Sequence, residues 1–162
     1  MEKKVVSALI DMKGAKGKSR GQIQFLQGPV GQTSINVSLS NLDSKASSFH
    51  VHILPIKASG DPCSDENIMG HFNPLAVSQS TSPAPGTGTV DQYEIGDITG
   101  KFGLLTNLTQ VQKQYIDNNM PLSGPNSIVG RSLVIHYLND LLCSSAVPLL
   151  LNENQPHLKY GN

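Results

Sequence analysis

Tryptophan is absent from the sequence, and phenylalanine and tyrosine make up only 5% of it. That leaves little aromatic surface on which single-stranded nucleic acid could stack. Charge of one sign is lacking as well, because twelve basic residues balance twelve acidic ones. A nucleic-acid binder needs a net basic face, so that class is disfavoured. The basic start (Lys3, Lys4, Lys13, Lys16, Lys18, Arg20) reads as a solvated edge. No apolar run is long enough to span a bilayer; the longest, from Ala146 to Leu151, is only a few residues. Met1 is followed by Glu2, Lys3 and Lys4, which is not the start of a secretory leader. Heptads, internal repeats and apolar periodicity for a helix longer than about two turns are missing too. Cysteine is limited to Cys63 and Cys143, which are either one disulfide or two unrelated thiols.

Turn formers are plentiful, with 15 glycines and 10 prolines among 162 residues. That suits one all-β domain with a real core. Alternation marks the strands: Ile23 and Phe25 share a face of 21–26, Ile35, Val37 and Leu39 a face of 33–40, and Phe49, Val51 and Ile53 a face of 48–54. Turn residues separate them at 14–17, 28–31 and 41–44. Further strands are expected at 93–98, 101–108, 111–116, 127–138 and 145–151. The stretch 78–89 is rich in Ser, Thr, Pro and Gly without periodicity and reads as a loop. The spacing predicts a sandwich or barrel of antiparallel strands over residues 1–151, followed by a polar tail over 152–162. Two glycosylation tripeptides, at Asn36 and Asn107, tilt the reading toward an extracellular protein.

Five histidines occur, and His50-Val51-His52 is the informative pair. At i and i+2 on a strand both imidazoles project from one face, opposite Phe49 and Val51. The bland reading is two exposed histidines on a polar face. His136 ends the run Leu133-Val134-Ile135 on a second β-rich strand, and His71 sits in Gly70-His71-Phe72-Asn73-Pro74. Imidazole-rich, sulfur-free sets suit copper or zinc, and spacing alone does not choose between them.

Read in order, these segments resemble the copper/zinc superoxide dismutase family. They are Phe49-His50-Val51-His52, Cys63, Gly70-His71-Phe72-Asn73-Pro74, Ile95-Gly96-Asp97-Ile98, Val129-Gly130-Arg131 through His136, and Cys143. The resemblance covers roughly residues 4 to 151. It implies a Greek-key β-barrel or sandwich of about eight strands. It implies His50, His52, His71 and His136 as copper ligands, with Cys63 and Cys143 in an intrasubunit disulfide. The substrate it implies is superoxide.

Departures from the family pattern refine that expectation. No histidine lies between His71 and Asp97, and Glu94 stands where a zinc histidine would be. Only six residues separate His136 from Cys143, so the long electrostatic loop is missing, and none of the six is arginine. These losses resemble the copper-only members, including fungal extracellular enzymes and tandem-repeat proteins. They imply one copper per domain and no zinc. In that group a glutamate hydrogen-bonds the histidine that once bridged the metals, which gives Glu94 a role in orienting His71. Asp97 is either a remnant of the zinc site or the organiser of a turn. The expectation is an extracellular copper-only superoxide dismutase, with a leader or anchor outside this sequence. The alternative is a non-catalytic copper-binding module among neighbouring repeat domains.

Overall fold

The computed structural model of the chain describes residues 4–14, 17–28, 30–42, 46–55, 64, 68–137 and 143–151; within the strands it leaves aside the side chains of 10–19, 137 and 143–146. Among the described residues, eight strands form two antiparallel sheets: β1 (Val5–Gly14), β2 (Gly17–Gln27), β3 (Thr33–Ser40), β4 (Ala46–His52), β5 (Val111–Asp117), β6 (Ser132–Tyr137), β7 (Cys143–Pro148) and β8 (Leu150–Leu151). The first sheet runs β5-β3-β2-β1-β8 and the second β4-β6-β7. The chain crosses between the sheets after β3, β4, β5 and β7, so the two faces close over one core.

Period-two patterning explains the packing. In β3, Thr33, Ile35, Val37 and Leu39 are buried while the residues between them are partly open. Ile23 and Phe25 extend this apolar face on β2, and Phe49, Val51, Leu133 and Ile135 oppose it from the second sheet. Each such side chain contributes about 1.5–3 kcal/mol through burial.

The structure differs from the expected strands at several places; the strand expected over 127–138 begins only at Ser132, because 127–131 form a turn with Gly130 at φ 82°. β1 was not legible as a strand, yet Val5, Val6 and Ala8 are buried along its full-length pairing with β2. Its early residues do not alternate cleanly, and the ladder rather than the pattern makes the strand. Conversely, 93–98 and 101–108 are not strands. They hold turns and a short helix, α1 (Ile98–Phe102), whose N-terminus is capped by Asp97 accepting from Gly100 N at 2.8 Å. Tyr93, Ile95, Ile98 and Leu105 are buried because this segment lies over β4 as a lid. Its alternation reflects contact with the core and not a pleat. The polar tail 152–162 lies outside the described residues.

Candidate metal centre

β4 carries the site. All seven of its residues are buried, so the polar face of the His-x-His strand is not exposed. Phe49 and Val51 enter the core. His50 and His52 meet the segment 68–101 on the other side, where His71 forms a bridge to His52. His136 arrives from β6, whose ladder sets Ser48 opposite it and Val134 opposite His50.

Four histidines converge. Ring centroids lie 4.1 Å apart for His50 and His71, 4.9 Å for His52 and His71, 5.1 Å for His50 and His136, 5.4 Å for His52 and His136, and 5.9 Å for His71 and His136. One nitrogen from each of His50, His71 and His136 falls within 4.8 Å of the other two. His52 joins them through Nε2, which is 3.2 Å from His136 Nε2.

The surroundings fix which nitrogens are available. His52 Nδ1 is 2.8 Å from the Met69 carbonyl, which only accepts, so Nδ1 carries the proton and Nε2 keeps its lone pair. His50 Nε2 lies 3.2 Å from Asp97 Oδ1 and donates to it, while His50 Nδ1 is buried without a hydrogen-bond partner. His71 Nδ1 is 3.3 Å from Glu94 Oε1, an acceptor that leaves Nε2 as the basic atom. Gln79 approaches that same Nδ1 at 3.4 Å. His136 Nδ1 is a second buried nitrogen with no partner. Burial, followed by the charges of His50, His52 and His71, pushes the His136 pKa down to about 3. Crowded imidazoles, two of which keep a buried nitrogen without a hydrogen-bond partner, fit a soft-to-borderline cation.

Burial alone would raise the Asp97 pKa. The hydrogen bond and charge of His50, the Gly100 N–H and the charge of His71 outweigh that, so Asp97 stays ionised below its ordinary value. Asp97 therefore organises a turn and touches a histidine at once. Gly96 permits its close approach: a Cβ there would sit 2.7 Å from the Val51 carbonyl and 3.1 Å from that of Phe72. A backbone bond from Val51 N to Gly96 O ties the lid to β4, and one from Gly96 N to Phe72 O ties it to the segment that carries His71.

A cavity of about 360 Å³ adjoins the imidazoles, bordered by Ser47, Ser48, Gln79, Tyr93, Thr99 and Leu104. Every histidine and carboxylate singled out from the sequence is thus brought to one place. Cys63 and the side chain of Cys143 lie outside the described residues, and with them the expected disulfide. The Met69 carbonyl, Gln79 and Thr99, whose hydroxyl accepts from Phe49 N at 2.8 Å, were not anticipated. Backbone carbonyls leave no sequence signal, and a lone Gln or Thr in a polar segment has none either.

The sequence profile of the copper/zinc superoxide dismutases matches residues 19–158. Among solved structures, the chain is similar to the copper(II) form of superoxide dismutase 5 from Candida albicans, with 26% identity, TM-score 0.76 and 95% of each chain covered. A glutamate-to-glutamine variant of that protein matches with 27% identity, TM-score 0.77 and 96% of each chain covered. A variant with an aspartate three residues later changed to asparagine matches with 27% identity, TM-score 0.70 and 94% of each chain covered. Glu94 and Asp97 have that same spacing.

Proposed function

The chain belongs to the copper/zinc superoxide dismutase family, and we propose that it is a copper-only superoxide dismutase whose single copper is held by His50, His52, His71 and His136. The observation that carries this reading is the ring of four imidazoles in which carbonyl and carboxylate acceptors preselect the free nitrogens. Glu94 takes the place of a second metal beside His71. Zinc binding is not expected, because Glu94 stands where the two-metal pattern has a zinc histidine and no other histidine lies between His71 and Asp97.

Copper, when bound, supplies one-electron exchange with superoxide; two superoxide ions and two protons yield one O2 and one hydrogen peroxide. The protein holds and orients the ligands and delivers protons. His71 is suited to the proton step because a quarter of its side chain is exposed, whereas Glu94 is 6% exposed. Glu94 Oε1 fixes the ring through Nδ1, so His71 Nε2 is the atom that takes up and returns a proton. The cavity beside the imidazoles gives a small anion room to reach them.

The proposed domain spans residues 1–151 and acts outside the cell, in line with the exposed turn position of Asn107. Cys63 and Cys143 are proposed to form its disulfide. The second reading, a copper-binding module without turnover, gains from the lack of an arginine between His136 and Cys143. Superoxide removal by copper-loaded protein, compared with free copper, separates the two. Catalysis lost in His71→Ala and His136→Ala supports the enzyme; a rate no better than free copper supports the module.

A further inference from the structure

Behind the lid lies an ion pair with no part in the chemistry above. Lys101 in α1 and Asp117 at the end of β5 have fully buried side chains, with Nζ 2.7 Å from Asp117 Oδ2. Lys101 Nζ also donates to the Ile95 carbonyl at 2.9 Å and to the Asn119 carbonyl at 3.3 Å. All three ammonium hydrogens are therefore used. Asp117 Oδ1 accepts from Asn119 N at 2.8 Å, which braces the carboxylate from its own turn.

A buried ion pair is seldom the cheapest way to stabilise a core, since apolar residues of equal size often do as well. What hydrocarbon cannot supply is a charged donor to a backbone carbonyl. That carbonyl belongs to Ile95, between Glu94 and Asp97. The neighbouring carbonyls are held by backbone donors: Glu94 O by Asp97 N at 3.0 Å and Gly96 O by Val51 N at 2.8 Å. Ile95 O is held by the lysine. Lys101 N also bonds Asp97 O at 3.2 Å, so one residue grips the segment through both side chain and backbone.

We propose that Lys101, neutralised by Asp117, is a positioning residue that sets how far Glu94 reaches toward His71 and Asp97 toward His50. This rests on the dismutase reading for its effect on rate, but its effect on His71 does not require copper. With Ile95 unanchored, the lid shifts, the 3.3 Å contact between Glu94 and His71 loosens, and His71 no longer keeps a single tautomer.

Lys101→Met alone strands a buried carboxylate and is a poor probe. Lys101→Met combined with Asp117→Asn removes both charges, keeps an acceptor for Asn119 N and preserves volume. Chemical denaturation first establishes that it folds. Imidazole 15N spectra of the metal-free protein then report the His71 tautomer, and copper-loaded protein reports the rate. The folded double variant is expected to show mixed His71 tautomers and a rate lower by about tenfold or more. Asp117→Asn alone costs the lysine its counter-charge but leaves it two carbonyl acceptors and an amide oxygen, so it stays on Ile95 O and is expected to retain one His71 tautomer even where it lowers stability. A folded double variant with the wild-type His71 spectrum, or equal changes in both variants, would overturn the proposal. Wild-type protein no faster than free copper would overturn the dismutase reading instead, with the His71 spectrum still deciding the role of Lys101.

Discussion

Acid should weaken the metal-free protein, and His136 sets much of the scale. Its folded-state pKa is about 3 against an ordinary 6.5, because the buried ring is surrounded by three other imidazoles. Between those values the unfolded chain binds a proton that the folded chain refuses. Stability is therefore complete above pH 6.5 and falls as pH drops toward 3, where the loss levels off. The full span corresponds to ~5 kcal/mol, and the part between pH 7 and pH 5 to ~2 kcal/mol. Set against a typical domain stability of about 5–15 kcal/mol, that is a large fraction. Urea titrations of metal-free protein at both pH values measure it. Replacing His136 with Gln removes the titrating ring, so the variant should lose ~2 kcal/mol less than wild type over that interval. Equal losses in the two proteins would refute the reasoning.

Other perturbations have equally definite outcomes. Gly96→Ala places a Cβ against the Val51 carbonyl and breaks the lid's bond to β4; a loss of about 1–3 kcal/mol in chemical denaturation and weaker copper retention are expected. Asp97→Ala removes the cap of α1 and the partner of His50, costing about 1–2 kcal/mol, whereas Glu94→Ala should weaken copper retention or lower the rate more than Asp97→Ala does; equal, negligible effects would sink the role of Glu94. Wild-type melting behaviour in Asp97→Ala would remove the cap argument. Reduction of the proposed Cys63–Cys143 bond, which closes a loop of about 80 residues, should destabilise by up to ~4–5 kcal/mol; an unchanged melt under reductant would mean two free thiols.

Much of the site was readable because its chemistry sits in side chains on regular strands. His50 and His52 share a face by the two-residue period, and His136 follows three apolar residues on the partner strand. β3 follows its alternation residue for residue. Glu94 and Asp97 were readable only through family resemblance, since nothing local tells a ligand partner from a solvated carboxylate. What stayed hidden depends on contacts distant in sequence. Tyr93 and Ile95 imitate a strand without pairing in a ladder: Ile95 covers the core, and Tyr93 is buried in its own loop with its hydroxyl donating to the Ala84 carbonyl. Lys101 and Asp117 are ordinary charges in the sequence until α1 and β5 bring them together. The Met69 carbonyl that fixes His52 adopts a left-handed backbone, with φ 58°, at a residue whose identity gives no hint of it.

Metal content and Cu(II) EPR on protein loaded separately with copper and with zinc test the central claim most directly. One copper per chain, a nitrogen-rich signal lost in His136→Ala, and no tightly held zinc are the predicted result. Stoichiometric tight zinc alongside copper, or no specific copper at all, would contradict it.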